Sequence, residues 1–416
     1  MRLLVFGHWS HTGFGVVTEH LATRFLAAGH DVRIIAVNHR GEPINGPLAG
    51  RVWPAALYGE PFGGNWSHEA IDGTAWPKLD PTDDWRPDQV LVVSDPSGLM
   101  GHIGQRGLLD PRWQQWVSLP VWHYCPIEGD RLSVGWRTLW QHIQPVAMSH
   151  YGARQISEHI GRVVPMVYHG VDTDIFRPVR VNDPLRFNDR TFTSKRACRE
   201  AFGIDPEAHV ILRTDRNVTR KFYPTLFEAF DAIAAADRRA LLVVHCRPID
   251  PEGPNLVEEL ARMSEAGRNR IVFTNQHDTF KGLPTAGLVA LMNAADVYVS
   301  TTGGEGFGLT LAEAAACEVP VVATDWAADA ETIGPGGFLV PPLIDRYGEA
   351  VRYHSVYGMD WALPDPRGFV EPVLTLLGSE AKRARYGEAG RAHVVANFNW
   401  DTAAADFIRL FEDAHV

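Results

Sequence analysis

Short apolar runs alternating with helical segments constrain this chain more than any other feature. Leu3–Phe6 is such a run, closed by Gly7, and its length and composition suit a strand buried on both faces. A glycine-containing loop follows, and then Val17, Leu21 and Phe25 recur every fourth residue, the apolar face of a helix that Gly29 ends. Val32–Val37 supplies the next strand, completing a unit of the kind that builds doubly wound parallel sheets. Further strands are predicted at Gln89–Val93, Val121–Tyr124, Val146–Met148 and Val163–Val167.

The pattern breaks near Phe176-Arg177-Pro178, and a polar stretch through Asn182, Asp183, Asn188 and Asp189 leads into a helix over Lys195–Phe202. Alternation then restarts. Strands are predicted at Val210–Arg213, Ala240–His245, Ile271–Phe273, Val297–Ser300 and Val319–Ala323, with helices at Pro224–Ala235, Leu256–Met263, Leu288–Ala294 and Leu309–Ala316 between them. A length of 416 residues suits two domains, so the expectation is an α/β chain with two Rossmann-like parallel-sheet domains facing a cleft. The boundary is placed between residues 178 and 179.

Composition excludes several classes. Apolar residues make up 45% and charged residues 21%, enough for buried cores. The net charge of -11 argues against nucleic acid, which needs a broad basic surface. Cys125, Cys198, Cys246 and Cys317 are far apart, so neither a disulfide framework nor structural zinc is expected. No run of 18 apolar residues occurs, and the apolar stretch at the N-terminus stops at His8; a soluble, cytoplasmic protein is expected.

The segment from Ser300 to Glu313, STTGGEGFGLTLAE, carries the most chemistry. It reads as a strand end, a loop with Gly303, Gly304, Gly306 and Gly308, and a helix start. Closely spaced glycines let backbone N–H groups approach an anion, and the helix turns its positive end to the same place. Glu305 and Glu313 would reach different parts of one ligand, as sugar hydroxyls require. The same glycines would also serve a plain tight turn, with Glu313 solvated.

With these residues in hand, the chain resembles the family 4 retaining glycosyltransferases of the GT-B fold, whose mark is E-G-F-G-L-x-x-x-E, as from Glu305 to Glu313. The resemblance implies that Glu305 contacts the transferred sugar, that Gly306, Phe307, Gly308, Leu309 and Thr310 bind sugar and diphosphate, and that Glu313 binds ribose. It also implies a cation pair, Arg216 and Lys221, that stabilises the leaving diphosphate, although Asp215 and Phe222 replace the usual flanking glycines and Arg220 is a competing cation. In the N-terminal half, Gly13, Phe14 and Gly15 correspond to a donor-side loop, and His123 is the nearest match to a histidine beside the reacting centre. The stretch His169–Pro178 is similar to the family's inter-domain connection, and 396–416 to a closing helix that crosses back to the N-terminal domain, leaving 179–395 as the nucleotide-sugar domain.

The resemblance implies transfer of a sugar from a nucleoside diphosphate sugar to a small-molecule, glycan or glycoconjugate hydroxyl, with retention and without metal or other cofactor. Double displacement and same-face attack both remain open, with a lean to the second because no carboxylate stands out as a covalent nucleophile. Acceptor contacts are expected from Trp53 to Trp66, from Asp95 to His102 and from Pro126 to Asp130, and base selection from Thr274 to His277. A non-catalytic nucleotide-sugar binding protein and an epimerase or phosphorylase on the same fold are the alternatives, and membrane association through a lipid acceptor is the weaker expectation.

Overall fold

The computed structural model describes residues 1–9, 12–37, 39, 43–54, 85–99, 119–187, 189–274 and 283–414. They form two compact units: residues 1–170 with 356–359 and 399–416, and residues 171–355 with 360–398. The division falls at Gly170–Val171, a few residues before the boundary expected from the sequence.

The first unit is built on β1 (Arg2–His8), β2 (Asp31–Val37), β3 (Val52–Pro54), β4 (Gln89–Val93), β5 (Val121–Cys125) and β6 (Gln144–Ala147), ordered β3-β2-β1-β4-β5-β6. All neighbours are parallel. The interior strands are apolar at successive positions because both faces of the sheet are covered. One cover is the helix Trp400–Asp413, whose Phe407 and Phe411 pack edge-on against Phe25, while Phe407 also meets Tyr124 at 4.9 Å between ring centres. Asn399 caps that helix, its side-chain oxygen accepting from the Asp401 and Thr402 amides. Gly170 is required beside it, since a Cβ there would lie 2.3 Å from the Trp400 nitrogen.

The strand expected at Val163–Val167 is absent. Only an isolated bridge joins Met166 to Ala147. Pro165 has no N–H to give a ladder, so this stretch pairs only through its own carbonyl to Ala147 and the Val167 amide back to the same residue.

The second unit repeats the topology. After a small hairpin of β7 (Leu185–Phe187) and β8 (Arg190–Phe192), it contains β9 (His209–Arg213), β10 (Ala240–Val244), β11 (Ile271–Phe273), β12 (Val297–Ser300), β13 (Val321–Thr324) and β14 (Gly337–Val340). The sheet order is β11-β10-β9-β12-β13-β14, again all parallel. A second hairpin pairs β15 (Arg352–His354) with β16 (Asp360–Ala362). The core lies between the sheet and the helices Tyr223–Ala236 and Pro366–Leu377, where Phe227, Phe230, Leu242, Val299, Phe369 and Val373 are buried together. The helix expected to reach Met263 stops at Leu260. Both units thus place the reversal of strand order next to their first strand, β1/β4 and β9/β12, where ligands of open α/β sheets bind beyond the carboxyl ends. Among the described residues no helix is long and apolar enough to cross a membrane.

Candidate active site

In the second unit, the chain leaving β9 and the chain leaving β12 meet at this reversal point. After Arg213 the backbone runs through Thr214–Val218 into one 3₁₀ turn, Thr219–Lys221, which Phe222 ends with a left-handed φ of 43°. Pro224 at the start of the following helix needs no hydrogen bond for its nitrogen, and its fixed φ suits the first turn. After Ser300 the glycine-rich loop leads to Gly308, whose φ of 93° starts the helix Leu309–Ala316. The sequence therefore brings two loops together, the Gly303 amide donating to the Arg220 carbonyl at 2.8 Å.

Charge concentrates there. Lys221 Nζ lies 2.8 Å from Asp215 Oδ1 and 2.6 Å from Glu305 Oε1, and Arg220 Nη1 lies 2.9 Å from Glu305 Oε2. Arg213, fully buried, approaches Asp215 Oδ2 at 2.7 Å with its Nε. Asp215 is further held by Tyr298 and Thr310, whose hydroxyls donate to its two oxygens at 3.4 Å. The guanidinium of Arg213 and the ammonium of Lys221 hold the Asp215 carboxyl well below the usual range despite burial, and Arg220 and Lys221 do the same for Glu305. Both are carboxylates at neutral pH.

Two other acids are displaced the opposite way. Glu313 is 9% exposed, its carboxyl forms no hydrogen bond among the described residues, and burial with the nearby Asp215 charge raises that carboxyl to about 8. Asp329 is 0% exposed and neither of its oxygens has a partner. It sits behind Glu305, because Ala327 bridges Glu305 and the Ala328 amide donates to the Glu305 carbonyl at 3.1 Å. Burial pushes its carboxyl well above the ordinary range.

Of the residues expected at the site, the structure brings Lys221, Glu305, Gly306, Phe307, Gly308, Leu309, Thr310 and Glu313 into one neighbourhood. Phe307 is buried against Phe398, 4.9 Å between ring centres, so its side chain is core and only its backbone faces the loop's chemistry. Arg216 is placed differently. It forks between Asp250 (3.1 Å) and Glu252 (3.1 Å), and Arg220 is the arginine beside Glu305. The pairing follows from the turn: Arg216 leaves before it and points at the 250–252 loop, whereas residues 220 and 221 close it.

His123, expected beside the reacting centre, lies inside the sheet of the first unit. It is the middle residue of β5, 0% exposed, and accepts from Trp140 Nε1 through Nδ1 at 3.2 Å while Nε2 donates to the Ser94 carbonyl at 3.1 Å. Burial lowers it to about 3, so the ring is neutral and both nitrogens are occupied. In the first unit, Gly13 and Phe14 open a helix capped by Thr12, and Gly15 is buried, its amide donating to the Thr12 hydroxyl at 3.4 Å. His8 at the end of β1 lies near Phe14, 5.3 Å between ring centres, with the rings tilted by 37°. The 55–66 part of the expected lid, residues 100–102 and residues 275–277 lie outside the described residues. Asp215, Arg213 and Asp329 were not singled out from the sequence; an Arg-x-Asp pair at a strand end was the available signal for the first two, and Asp329 had none. Among the described residues no group of three or more His, Cys, Asp or Glu side chains is arranged to hold a metal ion.

Comparison with known proteins places this geometry. Residues 209–353, which hold the whole charged cluster, match the sequence model described as "Glycosyl transferases group 1". The chain is 29% identical over 227 residues to a GDP-mannose-dependent monoacylated alpha-(1-6)-phosphatidylinositol monomannoside mannosyltransferase of Corynebacterium glutamicum, covering 53% of this chain and 51% of that one. It is 30% identical over 246 residues to D-inositol 3-phosphate glycosyltransferase 2 of Catenulispora acidiphila, covering 58% and 48%. The chain thus spans about half the length of the curated relatives it matches. Among solved structures, a sucrose-phosphate synthase from Thermosynechococcus elongatus superposes with a TM-score of 0.70 at 16% identity, over 100% of this chain and 99% of that one. The chain has the GT-B fold of two Rossmann-like units, and by sequence it is related to glycosyltransferases.

Proposed function

We propose that this chain is a retaining, metal-independent glycosyltransferase that moves a hexose from a nucleoside diphosphate sugar to a hydroxyl acceptor. The observation that carries the proposal is the Lys221–Glu305–Arg220 arrangement at the carboxyl ends of β9 and β12, beside a glycine-rich loop and a helix start. Lys221 and Arg220 supply two fixed cations where a leaving diphosphate gathers charge, and the amides from Gly306 to Thr310 with the helix start supply more positive potential. Because those cations are already in place, no divalent ion has to neutralise the phosphates. Arg216 stands outside that pair and would join the diphosphate only by leaving Asp250 and Glu252.

Glu305 is the carboxylate assigned to the transferred sugar, held in orientation by two cations, and Glu313 is assigned to the ribose hydroxyls. A protonated Glu313 can both donate to and accept from a diol. Retention rests on the Glu305-to-Glu313 resemblance, and the two acids near Glu305 whose carboxyls lack a hydrogen bond, Glu313 and Asp329, are both buried, which favours same-face attack.

The test is turnover of a nucleoside diphosphate hexose panel, GDP-mannose and UDP-glucose included, with an acceptor panel that contains D-inositol 3-phosphate, the compound in one relative's name. Full activity in EDTA and an axial product linkage from an axial donor, read by proton NMR, are expected. Complete loss in EDTA restored by Mg²⁺, or an inverted product, contradicts the proposal.

A further inference from the structure

Lys221 carries a flexible four-carbon side chain, yet its ammonium has to be held in one place to act on a leaving phosphate. Two carboxylates hold it: Asp215 Oδ1 accepts at 2.8 Å and Glu305 Oε1 at 2.6 Å. They are not equivalent holders. Glu305 reaches the ammonium from the glycine-rich loop and is assigned to the transferred sugar, whereas Asp215 has a single methylene and stands two residues beyond the end of β9. Its second oxygen, Oδ2, lies 2.7 Å from Nε of the fully buried Arg213, the last residue of β9, and accepts from the Tyr298 hydroxyl of β12 at 3.4 Å. Arg213 Nη1 in turn donates to the Val299 carbonyl at 3.1 Å, and the Tyr223 hydroxyl donates to the Asp215 carbonyl at 2.6 Å. A chain of buried contacts thus runs from the middle of the sheet, where β9 pairs with β12, through Arg213 and Asp215 to Lys221.

We infer that Asp215 is a positioning residue: backed by Arg213 and the sheet, it fixes the Lys221 ammonium so that one N–H is left to meet an oxygen of the leaving diphosphate. An ammonium has three N–H groups, and Asp215 and Glu305 accept from two of them. Asp215 does not itself meet the ligand, because it is only 8% exposed and both its oxygens already accept from protein side chains. Its hold extends to the helix start assigned to the phosphates, where the Thr310 hydroxyl donates to Asp215 Oδ1 at 3.4 Å. A donor fixed in advance stabilises developing charge without reorganising as the bond breaks. Loss of the hold therefore belongs in turnover, with little change in binding of the unreacted donor.

The inference rests on the glycosyltransferase reading above, and its test separates the two. The chain has five lysines, Lys78, Lys195, Lys221, Lys281 and Lys382, so nitrogen-15 NMR of the ammonium groups gives a spectrum simple enough to assign. A slowly exchanging Lys221 signal, identified by its loss in Lys221→Arg, is expected in the wild type and should vanish in Asp215→Ala. In turnover of a nucleoside diphosphate hexose, Asp215→Ala should lower kcat about tenfold or more and leave KM for the donor within about threefold. In the Lys221→Ala background the same change should lower kcat by less than about threefold, because a residue that acts through Lys221 then has nothing to position. Asp215→Ala leaves the buried Arg213 charge unpaired, so Arg213→Leu/Asp215→Leu, which removes both charges, is measured beside it and should behave in the same way. A Lys221 signal absent from the wild type or unchanged in both Asp215 variants, an undiminished kcat, a rise in KM matching the fall in kcat, or losses that add to those of Lys221→Ala overturns the inference. A Lys221 signal that depends on Asp215 in a chain that transfers no hexose from any donor supports the hold on Lys221 and defeats the glycosyltransferase reading.

Discussion

At the scale of single residues, the charged cluster assigns different work to groups a few ångströms apart. Lys221 contacts Glu305 and Asp215 and, in the proposed reaction, stands where charge develops, so Lys221→Ala should lower kcat by about 10²–10³ with a smaller change in KM. Glu313→Ala should raise KM with the lesser effect on kcat, since it removes contacts present before and during transfer. Equal losses in both parameters for both variants contradict the assignment. Glu313 also has a pH signature. Its carboxyl is raised from the ordinary 4.5 to about 8, so between those values the native state holds a proton that the unfolded chain has released. Stability is therefore lost as pH rises through that window and is level above it. Glu313→Gln should flatten this fall, seen as a smaller drop in Tm between pH 5 and pH 9 than in wild type; an unchanged drop contradicts it.

These residues were unequally legible in the sequence. Glu305 and Glu313 could be named because a short local pattern fixes them to one loop and one helix, and Lys221 was named through the resemblance alone. The surroundings of His123 were not legible, because a strand interior and a strand end look alike in an apolar run, and only the tertiary structure puts Trp140 and Ser94 on its two nitrogens. Which arginine faces Glu305 was not legible for a related reason: the turn Thr219–Lys221, ended by the left-handed Phe222, puts Arg220 beside it. Asp329 joins the site from the start of the short helix Asp329–Ile333, more than twenty residues beyond Glu305, a proximity that the β12–β13 pairing creates.

At the scale of elements, the alternation of apolar runs was legible because parallel strands buried on both faces are apolar throughout. The edge strands β6 and β11 were legible as well, whereas β3, β14 and the two small hairpins were not. β14 is recognisable only through its pairing with β13, in which Gly337 lies so close to Val321 that a Cβ would come within 1.7 Å of the Val321 carbonyl oxygen. Gly337→Ala must part those strands, and its destabilisation should stand at or above the upper end of the roughly 1–3 kcal/mol that overpacking costs. Denaturant midpoints check this. An unchanged midpoint would mean that the edge pairing contributes nothing to the sheet.

At the scale of the whole molecule, the two units share one strand order without a recognisable sequence repeat, and the chain's last helix belongs to the first unit. Trp400, Phe407 and Phe411 are each at most 2% exposed there, and burial of such a side chain contributes roughly 1.5–3 kcal/mol. A chain ending at Phe398 should therefore lose amide protection in β1–β6 while β9–β14 keep theirs, as hydrogen exchange would show; uniform loss or uniform retention contradicts this division.

The central claim is that the second unit holds a nucleoside diphosphate against Lys221 and Arg220 with its ribose on Glu313. Calorimetric titration of UDP, GDP, ADP and dTDP into wild type and Glu313→Ala tests it most directly. The account predicts selective binding of one nucleotide to wild type in EDTA, weakened at least tenfold in the variant; no binding of any of the four, or binding indifferent to Glu313, would contradict it.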